Sequence, residues 1–276
     1  MRGLLFNPRN IKGDWIMAKT KIADYSKEFD LAIVYSDLHI PYHDEKLTDI
    51  LLDVIADLEP TLIVDLGDLI NADCISDHLK KSKQLTGLQD ELKHAHKWLS
   101  RVNKAAPYAK KVLLTDNHFW SRIAKKIMKE NYWLEDLDAV RPENLLKLED
   151  YDWEWGNDYN WKNTLIMQHG DDNFGSSVNP VNTVLKVANN NSISVIRGHS
   201  HNYGSSILKH GDRSLLALQL GTFHNLDKIS YIKHKELIGW SQNFVLLYLS
   251  KSTKEFFHVP VFFINGRCMV NGKLYG

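Results

Sequence analysis

The tightest constraint on this chain is the way its short apolar runs end. Residues 31–36 (LAIVYS), 61–66 (TLIVDL), 111–115 (KVLLT), 163–168 (NTLIMQ) and 192–197 (SISVIR) are each followed within a few positions by Asp, Asn or His. Runs this short and rich in Val, Ile and Leu read as strands, too apolar to leave one face in water. Segments 45–58 and 87–103 lie between the first three and carry apolar residues at helical spacing, and a further helix is expected over 178–188. Strands alternating with helices specify an α/β chain. Residues 213–220 (RSLLALQL) and 244–250 (FVLLYLS) add late strands with little helix between them. The expected fold class is therefore α/β, with two mixed β-sheets packed as a sandwich and flanked by helices.

No Pro/Gly/Ser-rich linker, repeat or low-complexity stretch divides the sequence, so residues 31–276 are expected to form a single domain, preceded by an N-terminal arm at 1–30. Met17 is a second plausible start within that arm. The 34 basic residues balance 34 acidic ones, so no overall field draws the chain to a polyanion, and any such binding must come from a local patch. Cys74 and Cys268 are far apart and form no CxxC, which argues against a disulfide scaffold or a thiolate zinc site. With no apolar run near the roughly 20 residues that span a bilayer, the expected location is the cytoplasm, or a host's cytoplasm if the gene is a phage's.

The polar residues at the strand ends carry the chemistry. Asp37 and His39 follow the first strand, Asp68 the second, Asp116, Asn117 and His118 the third, His169 the fourth, and His199 and His201 the fifth. In open α/β sheets the carboxyl ends of parallel strands share one rim, so these loops converge. Carboxylate, carboxamide and imidazole donors without thiolate suit a divalent ion such as Mn, Fe or Zn. Asp37, His39, Asp68, Asn117, His169, His199 and His201 are too many for one tetrahedral ion, whereas two ions about 3.5–4 Å apart, bridged by a carboxylate, use them all. Strand alternation is expected to put Asp37 and His39 on one side of their segment. The absence of G-x-S-x-G, Cys-His and P-loop motifs argues against acyl-transfer or Walker-type chemistry.

The ordered blocks DLH (37–39), GD (67–68), DNH (116–118), HG (169–170) and GHSH (198–201) resemble the calcineurin-like metallophosphoesterases, whose pattern is D-x-H, G-D, G-N-H, H and G-H-x-H. The resemblance implies that family's four-layer fold and a metal-dependent phosphoesterase using water activated by two ions. It assigns Asp37, His39 and His201 to one metal, Asn117, His169 and His199 to the other, and Asp68 to both. It makes His118 a catalytic residue facing the scissile phosphate. Asp116 stands where the family has glycine; the expectation is that it tolerates a left-handed turn, and that its carboxylate alters metal choice or repels an anionic substrate. DLHIPYHD (37–44), DNHFWSR (116–122), Tyr231 and Gly239-Trp240 further resemble a branch common in phage and prophage.

Arg122, Lys125, Lys126 and Lys129 share one face of the helix expected after His118, and Arg122, with Asn117, is the candidate for substrate contact. The alternating aromatics Tyr151, Trp153, Trp155, Tyr159 and Trp161 fit a half-buried strand or hairpin better than a base-stacking surface. Asp65 and Asp171 are positional candidates for orienting the ligand imidazoles. His43, His78, His94, His96, His210, His224 and His234 are expected to be surface residues or to make local hydrogen bonds. The leading functional expectation is cleavage of phosphodiesters in DNA, RNA or nucleotides with manganese, or with Fe, Zn, Ni or Mg. A phosphomonoesterase or protein phosphatase is the alternative, and a non-catalytic metal-binding assembly module is the third. The oligomeric state is not readable from sequence.

Overall fold

The computed structural model describes residues 25–76, 86–134, 136–171, 180–226 and 239–276. Its elements in order are β1 (Phe29–Tyr35), α1 (Glu45–Leu58), β2 (Leu62–Asp65), α2 (Leu88–Ala105), β3 (Lys110–Leu114), α3 (Trp120–Glu130), α4 (Pro142–Leu145), β4 (Glu154–Gly156), β5 (Asp158–Trp161), β6 (Leu165–Gln168), α5 (Pro180–Asn191), β7 (Ser194–Arg197), β8 (Gly204–His210), β9 (Arg213–Gln219), β10 (Asn243–Ser250), β11 (Phe256–Phe262), β12 (Cys268–Val270) and β13 (Lys273–Tyr275).

Two large mixed sheets result, ordered β11-β10-β1-β2-β3-β4 and β5-β6-β7-β9-β8, with β12 and β13 as a separate pair. In the first, β1, β2, β3 and β4 run parallel, while β10 and β11 are antiparallel additions on the β1 side. In the second, β6, β7 and β9 run parallel between two antiparallel edges. The expected sandwich of mixed sheets is the fold observed.

The period-two alternation of a strand explains the layers. Along β1, Ala32 and Val34 point into the space between the sheets, where they meet Val64, Leu114, Met167, Ile196 and Leu218. Leu31, Ile33 and Tyr35 point the other way, onto Leu47, Leu51 and Ile55 of α1 and Trp98 and Leu99 of α2. On the far side of the second sheet, Val184, Val187 and Ala188 of α5 cover Val195 and Ala217. Each of these fully buried aliphatic side chains contributes about 1.5–3 kcal/mol relative to exposure, and together they fix the strand register on which the site depends. Asp44 caps α1 by accepting from the backbone N–H of Lys46 and Leu47.

The aromatic run does form half-buried strands, but not a hairpin. β4 pairs with β3 in the first sheet and β5 with β6 in the second, so this segment crosses from one sheet to the other. Trp153 and Trp161 are buried at the two ends of the crossing, and Trp155 faces outward. Tyr231, His78 and His234 lie outside the described residues. No helix among the described residues is long and apolar enough to cross a membrane.

Candidate metal centre

The chain leaves β1, β2, β3, β6, β7 and β9 at one rim, and every expected ligand sits just past one of these exits. Asp37 and His39 do not continue the strand, however. Asp37 (φ 59°), His39 (φ 53°), Asp68 (φ 54°), His199 (φ 73°) and His201 (φ 60°) are all left-handed. It is therefore this turn geometry, rather than strand alternation, that turns Asp37 and His39 to a common point. Non-glycine residues held there cost on the order of 1 kcal/mol each and persist only where their surroundings fix them. The surroundings are visible: Asp37 N–H donates to Gly67 O at 3.0 Å and His39 N–H to Asp68 O at 2.8 Å, while Phe223 N–H donates back to Asp37 O at 3.0 Å. Thr222 Oγ1 donates to the same carbonyl at 2.7 Å, and His199 N–H donates to Asp37 Oδ2 at 2.9 Å.

Acceptors converge at two points. At the first, His39 Nε2 lies 2.9 Å from His201 Nε2, which is 3.1 Å from Asp37 Oδ1. His39 Nδ1 faces Asn71 Oδ1 at 3.0 Å; donation there leaves Nε2 as a lone pair. Asp37 Oδ1 is fully enclosed without a hydrogen-bond donor. At the second, His169 Nδ1 donates to the carbonyl of Leu66 at 3.0 Å, so Nε2 faces Asp68 Oδ2 at 3.3 Å and Asn117 Oδ1 at 3.0 Å. The same Asn117 oxygen is 3.0 Å from His199 Nδ1. Buried acceptors facing acceptors are unfavourable unless a cation lies among them. Ligand atoms of Asp37, His39, Asp68 and His201 all lie within 4.8 Å of one another, as do those of Asp68, His169 and His199. Asp68 belongs to both sets. The donors fit a divalent ion at each point.

Proton affinities carry the same signature. Burial works against the Asp68 carboxylate, but His118, His169 and His39 outweigh it and hold its pKa well below the usual range. Burial likewise opposes the Asp37 charge, and the neighbouring His201 and His39 imidazoles overcome it, holding its pKa well below the usual range. Burial disfavours protonated His169, yet Asp68, Asp37 and Asp116 raise it to about 10. His39 is raised whereas His201 is lowered, chiefly by burial. Their facing Nε2 atoms accommodate one positive charge, not two. Where metal is absent, protons take the cation's place.

His118 belongs to neither ligand set. Its Nδ1 faces Asn71 O at 3.1 Å, its Nε2 stands 3.9 Å from Asp68 Oδ2, and its ring meets that of His39 edge-on at 4.6 Å. Burial, His39 and Arg122 push its pKa down to about 3 despite Asp68. Arg122 donates from Nη1 to Asn71 O at 2.5 Å and stands 4.0 Å from Asp73, so it braces the loop after β2 while flanking Asn117.

Asp116 departs from expectation. Its φ is not positive, and its carboxylate accepts from the backbone N–H of Asp68 at 2.9 Å, Phe119 at 2.7 Å and Trp120 at 3.3 Å. It ties the start of α3 to the Asp68 loop. Burial and the Asp68 charge raise its pKa to about 7. Asp65 and Asp171 do not orient the imidazoles: Asp65 accepts from Gly67 N–H at 3.0 Å, and Asp171 is exposed. Asn71 and the Leu66 carbonyl do that work, because they lie directly behind His39 and His169.

Sequence reasoning missed His224. It is fully buried, stacks on His39 at 4.5 Å, and lies 5.8 Å from the His201 ring. Neither of its ring nitrogens has a hydrogen-bond partner among the described residues. The usable signal was its place just past β9, at a sixth strand exit on the same rim. Trp240 of the Gly-Trp pair packs edge-on against His201 at 4.1 Å.

No family model and no curated protein matches the chain. Among solved structures, it is similar to a Vps29 variant from Entamoeba histolytica (11% identity, 88% of this chain and 95% of that one, TM-score 0.44). It is also similar to TT1561 of Thermus thermophilus (8% identity, 84% and 98%, TM-score 0.40) and to Yfce, a phosphoesterase from E. coli (12% identity, 83% and 98%, TM-score 0.39). At TM-scores below 0.5 these matches carry no part of the functional argument, which rests on the ligand geometry.

Proposed function

We propose that the chain is a calcineurin-like metallophosphoesterase that hydrolyses phosphodiesters of nucleic acids or nucleotides in the cytoplasm, with two divalent ions and manganese as the first candidate. One observation carries the reading: two convergent ligand sets share Asp68, which is the donor geometry a metal pair requires. Such a pair, when bound, supplies Lewis acidity and an activated water.

The chain's own residues do the rest. Asp37, His39 and His201 hold one side, Asn117, His169 and His199 the other, and Asp68 fixes their spacing. Asn71 sets the direction of His39 through Nδ1 and receives His118 Nδ1 on its backbone carbonyl. That second contact leaves His118 Nε2 directed to the centre, where the ring, neutral in the free site, gains a proton as the anionic phosphate arrives and then donates from Nε2 to a phosphoryl oxygen or passes that proton to the leaving oxygen. Arg122 and the Asn117 amide supply donors to the phosphate. The placement of Trp240 against His201 and of DLHIPYHD around the centre supports the phage-type branch. Hydrolysis of bis(p-nitrophenyl) phosphate after addition of Mn²⁺ to chelator-treated protein tests the reading. Strict dependence on the metal is expected, and turnover of p-nitrophenyl phosphate alone would turn the assignment to a phosphomonoesterase.

A further inference from the structure

Beside the metal centre lies a cleft of ≈ 290 Å³ that meets the ligand sets only at Asn117. Asn117 forms one end, Ser121, Arg122, Lys125 and Lys126 of α3 form one wall, and Ser76 stands opposite. Asn117 is also the residue whose Oδ1 meets His169 and His199. The cleft is therefore continuous with the second metal position. The volume is close to the lower bound of roughly 300 Å³ for small-ligand clefts, and no carboxylate lines it among the described residues.

Its charge is local. The chain's basic and acidic residues balance, 34 to 34, so a polyanion gains nothing at long range and must be held by such a concentration of cations. Arg122, Lys125 and Lys126 fall at i, i+3 and i+4, one turn of one helical face. Asp73, 4.0 Å from Arg122 Nη1, is buried. A substrate with a single phosphate at the metal centre reaches no further into the cleft than Asn117 and Arg122 and leaves Lys125 and Lys126 unused.

We infer that the cleft takes a second phosphate of the substrate, next along the chain from the scissile one, so that the substrate is a nucleic-acid strand with at least two phosphates. This rests on the phosphodiesterase reading above. Phosphate contacts by Lys and Arg position a strand without reading its sequence, so the cleft supplies affinity and register rather than base preference.

The test compares bis(p-nitrophenyl) phosphate, thymidylyl-thymidine and its three-nucleoside homologue, with one, one and two phosphates, under Mn²⁺. Wild-type protein is set against the double variant Lys125→Ala/Lys126→Ala and against Lys129→Ala, which removes a charge from the same stripe outside the cleft. In the double variant, the kcat/KM ratio of the two-phosphate substrate to the aryl diester is expected to fall at least tenfold, through KM. That fall should shrink at high salt, and Lys129→Ala should keep the wild-type ratio. An unchanged ratio in the double variant, or an equal fall in Lys129→Ala, overturns the inference while leaving the phosphodiesterase reading intact. A nucleoside triphosphate that competes through the same lysines as well as the strand does would assign the cleft to a polyphosphate tail and overturn the strand assignment. If wild-type protein cleaves no diester, the earlier reading fails. Fluorescence anisotropy of a labelled trinucleotide then decides on the cleft separately, and a Kd indifferent to the double variant overturns it.

Discussion

Gly198 is the position at which the smallest change should do the most damage. A Cβ built there would lie 1.8 Å from Ser36 Oγ, 2.7 Å from Asp37 Oδ2 and 2.8 Å from Ser36 Cβ. Its φ is ordinary, so the requirement for glycine is one of space alone. The Ser36 hydroxyl can rotate away, but the Ser36 Cβ and the Asp37 carboxylate cannot, since Asp37 is held by hydrogen bonds from Ser36 Oγ and His199 N–H. Gly198→Ala must therefore separate the turn after β7 from that after β1. Overpacking a filled interior costs about 1–3 kcal/mol, and losing a charge-assisted hydrogen bond adds about 1.5–3 kcal/mol. A total of about 2.5–6 kcal/mol should lower Tm by roughly 5–24 °C, at about 2–4 °C per kcal/mol. The movement also pulls Asp37 from His201 and His199 from Asn117, so both metal positions weaken. Thermal melts and calorimetric titration with Mn²⁺ read the two effects. Adding Ser36→Ala removes the 1.8 Å contact and should restore part, not all, of the stability. Two Mn²⁺ bound at wild-type affinity by Gly198→Ala would refute the reasoning.

Other residues separate binding from chemistry. His118→Ala should lose at least a hundredfold in kcat, the scale of general acid–base catalysis, yet still bind two Mn²⁺; loss of one ion would make it a ligand. Asn71→Ala leaves His39 Nδ1 unoriented and should weaken metal binding by about 10–100-fold, whereas an unchanged affinity would deny Asn71 that role. Metal-free protein should be most stable near neutral pH, because His118, His199, His201 and His224, all lowered from 6.5, cost stability as pH falls through that value. His169, raised from 6.5 to about 10, contributes stability below its unfolded pKa that is lost as pH rises through about 10. Asp116, raised from 3.8 to about 7, adds a loss between those values. Asp37 and Asp68, lowered, contribute above 3.8 and lose that contribution as pH falls. Denaturant melts should therefore show metal-free stability declining from about pH 7.5 to 9 as His169 titrates, and Mn²⁺ removing the decline; a rise over that range contradicts the assignment.

Central strands and ligands were legible for the same reason. The runs that became β1, β2, β3, β6, β7, β9 and β10 are buried on both faces, so they stand out as unbroken apolar segments, and the polar residues just beyond them had to share a rim. β8 and β11 were not legible because they are edges: their burial alternates, and Pro260 within β11 reads as a strand breaker although an edge tolerates it. β4 and β5 are short and depend on partners far along the chain. Within the site, the seven candidate ligands, which the structure brings together at one rim, were picked out by residue type and order. Asn71 carries no motif and acts only because its oxygen faces His39, and Asp116 looked like a charge beside the metals until its backbone partners were visible. His224 was set aside as a lone histidine, and only the packing of β9 against β7 places it on His39.

The central claim is that two ions share Asp68, and anomalous diffraction from Mn²⁺-soaked crystals tests it most directly. Two peaks about 3.5–4 Å apart, one among Asp37, His39 and His201 and the other among Asn117, His169 and His199, with the Asp68 carboxylate between them, are predicted. The Asp68→Asn protein should lose at least one peak. A single peak in the wild type, or two that survive unchanged in Asp68→Asn, would contradict the account.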